Sequence, residues 1–310
     1  MPSHPINEVI MIELHPLTLK DKSWCDEIFA MEDSRSADFN FGNIYMWDNK
    51  FKQHLTRFGD RIIIQLCYED RPYFCFPVGS GSVKDAMDAM KEYSDSQHRR
   101  LRISGITEEY RTILEDLYPG QFEFREDEPL YDYIYDIEKM STYSGKKLHG
   151  KKNHGNRFEA DYQWEFVPIT REWIPRCITM LDDWMDKNSE RLLPSIQEEY
   201  VSILRAFNAY EELGVFGGVL LANDQVVGFS VAEIISSDTV DIHFEKAYTD
   251  INGAYPMVCR EMARMIKQRY PEIKYINRED DMGLESLRKS KLSYRPVCLI
   301  KKYTARHIDD

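Results

Sequence analysis

The stretch from Asp241 to Pro296 decides the fold, and its sequence is DIHFEKAYTDINGAYPMVCREMARMIKQRYPEIKYINREDDMGLESLRKSKLSYRP. The alternation at 241–246 predicts a strand, an Asn-Gly turn follows, and the pattern at 254–270 predicts a helix. A short strand is predicted at 274–277, before an acidic turn at 278–283. A helix N-terminus beside a strand end offers unpaired N–H groups to an anion, which suits an acyl-transfer site.

The composition predicts a globular and acidic protein. The chain has 310 residues, enough for two domains with full cores, and 43% of them are hydrophobic. The net charge of −13 argues against a nucleic-acid-binding surface over the whole protein, because phosphates bind clustered lysine and arginine. A local basic patch remains compatible with this charge.

The cysteines and the hydropathy pattern predict a cytoplasmic protein. The six cysteines form no C-x-x-C pair, and most of them sit in apolar runs, which is typical of reduced, buried thiols. Residues 1–14 lack a basic start followed by an apolar segment, so no signal peptide is expected. No run reaches about 18 apolar residues, so no integral membrane segment is expected either.

The order of predicted elements divides the chain into two units, residues 1–140 and 141–310. Each unit is predicted to contain a helix, hairpin strands, a helix, a strand, a helix and a closing strand. The closing strands are expected at 130–137 in the first unit and at 296–303 in the second. The units share no residue-level repeat, but the common order predicts a duplicated α+β domain with mixed, mainly antiparallel sheets.

The turn before the predicted helix is a candidate anion site. The backbone N–H groups of Asn252, Gly253, Ala254 and Tyr255, together with the helix dipole, could hold the phosphates of an acyl donor. Gly253 would also let the backbone approach the ligand closely. An ordinary Asn-Gly turn before a helix is the alternative interpretation.

The strand before that turn supplies candidate catalytic residues. His243 and Glu245 alternate with Ile242 and Phe244, so both are expected on the face opposite those apolar residues. Acyl transfer to an amine needs a group that takes the ammonium proton, and a carboxylate or an imidazole can do so. Glu245 is the preferred base and His243 a second candidate, while a pair of solvent-facing strand residues is the alternative.

Arg278 and Asp281 follow the end of the second strand. Ligands commonly lie beyond strand ends in open sheets, so the carboxylates of this turn could bind a cationic amino group. Asp281 is a further catalytic candidate, or it simply caps the helix expected at Leu284. Arg278 could contact a phosphate or pair with its acidic neighbours.

One segment has the charge pattern of a nucleic-acid-binding surface. Residues 141–158 contain no acid in a strongly acidic chain, and they include Lys147, Lys151 and Lys152. These lysines could bind a tRNA acceptor end, a CoA phosphate or the pyrophosphate of a peptidoglycan precursor. A solvated basic linker between domains is the alternative.

No metal site is predicted from the sequence. The histidines show no H-x-x-x-H or H-E-x-x-H spacing. A G-x-S-x-G elbow and a P-loop lysine motif are also missing, so these motifs give no support for serine-hydrolase or P-loop chemistry.

Three segments carry a resemblance to a known family. The sequences at 143–158, 245–255 and 275–296 resemble a bacterial family of uncharacterised proteins. That family is similar to the C-terminal catalytic domain of phosphatidylglycerol lysyltransferase and, more distantly, to the Fem peptidyltransferases, which are tandem GNAT proteins. The resemblance covers essentially the whole chain. It implies two GNAT-like (acyl-CoA N-acyltransferase-like) domains, with the active site in the C-terminal one.

The resemblance also implies where the chemistry lies. In GNAT-like folds the strand that carries Glu245 splays from its neighbour, which frees N–H groups to form an oxyanion hole. The turn at 250–255 departs from the Arg/Gln-x-x-Gly-x-Gly/Ala pattern of typical acetyl-CoA binders, so the resemblance does not single out CoA as the donor.

These observations lead to one hypothesis and two alternatives. The hypothesis is an acyl- or aminoacyltransferase that moves an activated group by direct attack to an amine or hydroxyl of a small molecule, a lipid or a peptide. The donor would be aminoacyl-tRNA or acyl-CoA, bound as a co-substrate and not as a permanent cofactor. The alternatives are an acetyl-CoA-dependent N-acetyltransferase and a non-catalytic ligand-binding GNAT-like protein.

Overall fold

The computed structural model describes residues 12–188 and 194–308. The expectation of no signal peptide at 1–14 therefore falls mostly outside the described residues. Across the described ranges, no helix combines the length and the apolar character needed to cross a lipid bilayer.

The described residues form helices and strands in the following order along the chain. The helices are α1 (Lys22–Glu32), α2 (Phe41–Met46), α3 (Asp48–Phe51), α4 (Val83–Ser96), α5 (Glu108–Leu117), α6 (Ile137–Thr142), α7 (His149–Asp161), α8 (Ile174–Lys187), α9 (Pro194–Asn208), α10 (Tyr210–Leu213), α11 (Ala254–Arg269) and α12 (Glu285–Ser293). The strands are β1 (His15–Pro16), β2 (His54–Phe58), β3 (Arg61–Tyr68), β4 (Arg71–Cys75), β5 (Arg102–Ile106), β6 (Phe122–Glu126), β7 (Asp132–Asp136), β8 (Trp164–Pro168), β9 (Phe216–Ala222), β10 (Gln225–Ile234), β11 (Thr239–Ala247), β12 (Tyr275–Asn277), β13 (Cys298–Ile300) and β14 (Tyr303–His307).

Local sequence signals explain several of the helix starts. The hydroxyls of Ser82 and Thr107 accept the N–H groups three residues ahead and so cap α4 and α5. Pro175 and Pro256 lie in the first turns of α8 and α11, where a missing N–H breaks no helical hydrogen bond.

Each of the two units contains one mixed sheet. The first sheet has the order β1-β2-β3-β4-β5-β14-β6, and its only parallel pair in the described residues is β4 with β5. The second has the order β13-β7-β12-β11-β10-β9-β8, and there only β11 and β12 are parallel among the described strands. The prediction of α+β units with mixed, mainly antiparallel sheets is confirmed.

The chain does not divide simply at residue 140. The first unit comprises the chain up to Glu32, Lys50–Asp127 and the chain from Lys302 onward, while Asp33–Asn49 and Glu128–Lys301 form the second. The strand expected to close the first unit, β7, lies in the second sheet between β12 and β13. The last strand, β14, lies in the first sheet between β5 and β6. The order of elements along the chain cannot reveal such exchanged partners, because strand pairing is set by long-range packing.

Helix α11 covers the end of β11 in the second unit. Its buried stripe, which includes Val258, Met262 and Ile266, packs on one face of the second sheet, as the helical spacing of these residues predicts. Helix α7 lies against the first turn of α11. Together the two helices cover the part of the sheet where β11 ends.

Gly253, immediately before α11, is required by this packing. Its φ is +88°, and a Cβ on it would lie 2.3 Å from the carbonyl oxygen of His154 in α7. A side chain at this position would meet both backbone strain and a clash with main-chain atoms.

We expect Gly253→Ala to lower the free energy of unfolding by about 2–4 kcal/mol, from left-handed strain and overpacking together. The matched control is Gly150→Ala in α7, where a Cβ would meet nothing within 4 Å. That change should be neutral or stabilise the protein by up to about 1 kcal/mol. Urea unfolding of both variants tests this, and equal stabilities would contradict the packing role of Gly253.

Candidate functional site

The neighbouring strands β11 and β12 separate after a short pairing. They run parallel and pair at three positions, from Thr239 with Tyr275 to Asp241 with Asn277. β12 ends there, whereas β11 continues to Ala247 and keeps its pairing with β10 on the other side. β12 therefore ends where the splay implied by the resemblance would begin, and the splay itself stays a prediction.

The space beside the separated strands is small and mostly apolar. The side chains around it pack so closely that a water-sized molecule does not fit between them. Two of the residues that line this gap carry charge: Glu245 of β11, and Arg278 just after β12. The lining consists of Met140, Ile242, Glu245, Cys259, Met262, Ala263, Ile276 and Arg278.

An ion pair between Glu245 and Arg278 lies in this gap. Nη2 of Arg278 donates to Oε1 of Glu245 at 2.9 Å, and the side chains of Arg278 and Glu245 are only 13% and 8% exposed. Nη1 of Arg278 is buried and has no hydrogen-bond partner among the described residues. Burial acts to lower the pKa of Arg278, but the neighbouring Cys259 and Glu245 outweigh it and hold that pKa well above its usual value. The guanidinium therefore stays charged and keeps a donor for a ligand.

Aromatic rings surround the Arg278 guanidinium. Its central carbon lies 4.8 Å from the ring centre of Tyr294 and 5.6 Å from that of Tyr135. Nζ of Lys151 stands 3.9 Å from the centre of the Tyr294 ring. Burial is the main cause that lowers the pKa of Lys151. Lys151 and Arg278 thus share one aromatic ring, and two cations meet beside the gap.

The thiol of Cys259 also lines the gap, but it is not a nucleophile at neutral pH. Burial raises its pKa to about 12. A thiol with this pKa stays protonated near neutrality, and only a thiolate attacks carbonyl carbon effectively. The gap therefore offers no activated cysteine.

A β-bulge sends His243 and Glu245 to opposite faces of the sheet. Val231 of β10 pairs with Phe244 of β11, and the next residue of β10 pairs with Ile242. His243 is therefore an extra residue that interrupts the alternation of side chains. Glu245 lines the gap together with Ile242, and the expectation that His243 and Glu245 share a face is wrong.

His243 lies in a buried group of carboxylates instead. Its Nδ1 is 3.1 Å from Oε1 of Glu279 and 3.5 Å from Oδ2 of Asp241, and its Nε2 is 3.2 Å from Oε2 of Glu233. Burial acts to lower the pKa of the imidazole, but the charge of Asp241 and the hydrogen bonds to Glu233 and Glu279 raise it to about 10. A protonated imidazole cannot accept a substrate proton, so this geometry does not favour His243 as a base.

Asp281 is fully engaged in local structure. Its side chain is 0% exposed and receives Nε of Arg288 at 2.7 Å, the hydroxyl of Tyr133 at 2.6 Å and the N–H of Gly283 at 2.9 Å. It does not cap α12, whose N-cap residue is Leu284. Both carboxylate oxygens bind protein groups, which favours a structural role for Asp281 over a catalytic one.

Helix α7 covers the turn at 252–255. Oδ1 of Asn252 lies 2.8 Å from Nδ1 of His154, and the N–H of Ala254 donates within the turn. Gly253 is the N-cap residue of α11 and has no side chain with which to cap the helix. Helix packing therefore accounts for the glycine. Phosphate binding by the turn stays a prediction.

The basic segment is helical and does not form a linker. A short 3-10 turn at Lys146–Leu148 leads directly into α7. Lys147 and Lys152 are exposed, whereas Lys151 is partly buried against the tyrosine ring described above. The structure thus brings Lys151 to the gap and leaves Lys147 and Lys152 on the outer surface of the second unit.

Sequence reasoning missed the aromatic surroundings of Arg278 and the acidic surroundings of His243. Tyr135, Tyr294 and Glu233 come from distant parts of the chain, so no local spacing marks them as partners. The alternation of tyrosines with acids at 130–137 was a usable signal, because it places Tyr133 and Tyr135 on one face of a strand.

A comparison of sequences identifies the family. The chain matches the family described as Phosphatidylglycerol lysyltransferase, C-terminal, over residues 29–306. The uncharacterized protein MYCGA3080 of Mycoplasmoides gallisepticum is 28% identical over 187 residues. That alignment covers 57% of this chain and 56% of the relative, so the chain spans about half the length of this curated relative.

Solved structures share the fold over nearly the whole chain. A conserved protein of unknown function from Bacteroides thetaiotaomicron VPI-5482 is 33% identical, with a TM-score of 0.91 and coverage of 96% of this chain and 100% of that one. L-PGS from Bacillus licheniformis is 16% identical with a TM-score of 0.68, covering 97% of this chain and 94% of its own. FemX is 9% identical with a TM-score of 0.64, and the alignment covers 96% of this chain and 98% of the FemX chain. The last two likenesses concern the fold alone.

The family match extends over most of the sequence, and the structural neighbours confirm a tandem GNAT-like fold. The resemblance seen in the sequence is therefore confirmed, and the chain belongs to the family of phosphatidylglycerol lysyltransferase C-terminal domains.

Proposed function

We propose that the chain transfers an activated aminoacyl or acyl group to an amine or hydroxyl acceptor, and that the reaction takes place where β11 and β12 separate. The observation that carries this proposal is the buried Glu245–Arg278 pair in the gap, with one Arg278 nitrogen left without a partner. A buried ion pair that leaves a donor unsatisfied is costly for stability alone, so it points to a ligand that completes it.

In this proposal the acceptor nitrogen or oxygen attacks the carbonyl carbon of the donor directly. A new bond forms between the acceptor and that carbon, and the bond from the carbon to the ester oxygen or thioester sulfur breaks. Glu245 takes the proton from the acceptor and returns it to the leaving group. No covalent enzyme intermediate is needed, which agrees with the protonated thiol of Cys259.

Arg278 stabilises the charge that develops on the carbonyl oxygen. Its free Nη1 donates to the oxyanion, while Nη2 holds Glu245 in place at 2.9 Å. A fixed donor in a buried, low-dielectric setting is worth more than the same donor in water, because it needs no reorganisation during the reaction. The gap has no room for a water-sized molecule, so the side chains that line it have to shift when the acyl group enters.

We favour aminoacyl-tRNA as the donor. The family is named for a lysyltransferase, and the basic segment presents the exposed Lys147 and Lys152 on the surface of the second unit of a strongly acidic chain. Acyl-CoA is the rival donor, and the turn at 252–255 would then hold its phosphates. A cytoplasmic location is part of the proposal, because both donors occur there and the six cysteines are free.

The first test measures transfer from a charged tRNA or from acetyl-CoA. We expect Glu245→Gln to lower kcat by about 10²–10⁴-fold with little change in KM for the donor, because the base is lost and the shape is kept. Glu272→Gln, an exposed carboxylate of the same unit, is the control and should keep full activity. Undiminished turnover of Glu245→Gln would remove Glu245 as the base. Activity with acetyl-CoA alone would favour the N-acetyltransferase, and no activity with either donor would favour a binding protein.

A second test separates chemistry from stability. Arg278→Gln leaves the Glu245 carboxylate buried without its partner and should cost about 3–5 kcal/mol of unfolding free energy. The double variant Glu245→Gln/Arg278→Gln removes both charges and should recover most of that stability, measured by urea unfolding, while transfer stays lost. A stable double variant with normal transfer would show that the pair only supports the fold.

A third test concerns the tRNA. We expect Lys147→Glu/Lys152→Glu to weaken tRNA binding by about tenfold or more and to flatten its salt dependence, because two phosphate contacts become repulsive. Lys274→Glu, an exposed charge reversal at the far end of β12, is the control and should bind almost normally. Filter binding at two salt concentrations measures the tRNA affinity and its salt dependence. An equal loss of affinity in the lysine variant and the control would argue against a specific tRNA surface at the basic segment.

A further inference from the structure

The sheet face opposite the Glu245–Arg278 pair carries a second buried group of ionisable side chains. We call Asp241, His243 and Glu279 the Asp-His-Glu cluster; one ligand atom from each lies within 4.8 Å of the other two. The side chains of Asp241 and His243 are 0% exposed, and that of Glu279 is 19% exposed. The cluster is thus buried and reachable from the side of Glu279.

The spacing of these atoms matches the spacing of ligands around one metal ion. Nδ1 of His243 lies 3.1 Å from Oε1 of Glu279 and 3.5 Å from Oδ2 of Asp241. Two ligands that each bind an ion at about 2.1 Å lie about 3.0 Å apart in octahedral geometry and about 3.4 Å apart in tetrahedral geometry.

The Asp241 carboxylate lacks the hydrogen bonds that its burial demands. Neither of its oxygens has a hydrogen-bond partner among the described residues. Buried carboxylates are normally hydrogen-bonded, paired at short range or bound to a metal, because desolvation of an isolated one is very costly. Nδ1 of His243 lies 3.5 Å from Oδ2 of Asp241, and no hydrogen bond joins the two atoms.

Neighbouring polar side chains orient His243 and Glu279, as the groups around metal ligands commonly do. Oε2 of Glu233 lies 3.2 Å from Nε2 of His243, so that nitrogen can donate and Nδ1 can present a lone pair to the cluster. Metal-bound histidines almost always donate their other N–H to a carboxylate or carbonyl. Nδ2 of Asn43 donates to Oε1 of Glu279 at 3.1 Å and fixes the second carboxylate.

The charges of the cluster do not balance within the protein. Three carboxyl groups, those of Glu233, Asp241 and Glu279, surround a single imidazole, and burial together with the charge of Glu279 raises the pKa of Asp241 well above its usual value. The buried ammonium of Lys291 donates to the backbone carbonyls of Arg278 and Glu279 rather than to these carboxylates. A further cation would complete the charge balance.

We propose that the Asp-His-Glu cluster binds one divalent transition-metal ion, Mn²⁺ or Zn²⁺, with Asp241, His243 and Glu279 as ligands. The imidazole nitrogen favours these ions over Mg²⁺ and Ca²⁺, which prefer oxygen ligands only. The site is independent of the proposed acyl transfer, because it lies on the other face of the sheet and uses none of the residues that line the gap.

The test titrates the full chain, first stripped with EDTA, with MnCl₂ and with ZnCl₂. We expect calorimetry to show one ion per chain. We also expect the midpoint temperature of unfolding to rise by about 5 °C or more when the free metal concentration is about a hundred times Kd. MgCl₂ and CaCl₂ should have much smaller effects. No heat and no shift with either transition metal would overturn the proposal, and His243 would then hold a proton in place of the ion.

Two isosteric variants test the ligands. Asp241→Asn and Glu279→Gln should each abolish the metal-dependent rise, whereas the control Glu272→Gln should keep it. Without metal, Asp241→Asn should be at least as stable as the parent protein, because it replaces a buried acid whose two oxygens have no hydrogen-bond partner among the described residues. Metal binding that survives both ligand variants, or an Asp241→Asn protein that is markedly less stable without metal, would contradict the site.

Discussion

One extra residue in a β-strand organises the polar interior of the second unit. The bulge at His243 interrupts the alternation of β11 just where its neighbour β12 has ended. Glu245 consequently shares a face with helix α11 and meets Arg278, while His243 lies among carboxylates on the other face. A strictly alternating strand would place both side chains on one face.

Buried charge is paired on one face of the second sheet and remains unbalanced on the other. On the α11 side, Glu245 and Arg278 neutralise each other, and tyrosine rings cover the guanidinium. On the other side, negative charge exceeds positive charge around His243. Buried pairs contribute little to net stability, and unbalanced ones reduce it. Such arrangements are costly for folding alone, and we therefore propose a different ligand for each face: an acyl group on one and a cation on the other.

Much of the architecture follows from the sequence, and the site follows only in part. Strand and helix periods predict the α+β units, the stripe of α11 and the caps at Ser82 and Thr107, because these depend on neighbours within a few residues. The exchange of β7 and β14 between sheets depends on long-range pairing that no local pattern encodes. Arg278 is expected from the sequence to contact a phosphate or its acidic neighbours, and the structure pairs it instead with Glu245, 33 residues away in the sequence. The bulge at His243 could not be seen, since an inserted residue leaves the apolar alternation of the sequence unchanged.

The central claim is that the gap on the α11 side receives the activated carbonyl. A crystal structure with a non-hydrolysable donor analogue, an aminoacyl group linked by an amide to adenosine, tests it most directly. The account predicts that the carbonyl oxygen lies within hydrogen-bond distance of Nη1 of Arg278, with Glu245 beside the carbonyl carbon. An analogue bound elsewhere, with the gap still closed by its own side chains, would contradict the account.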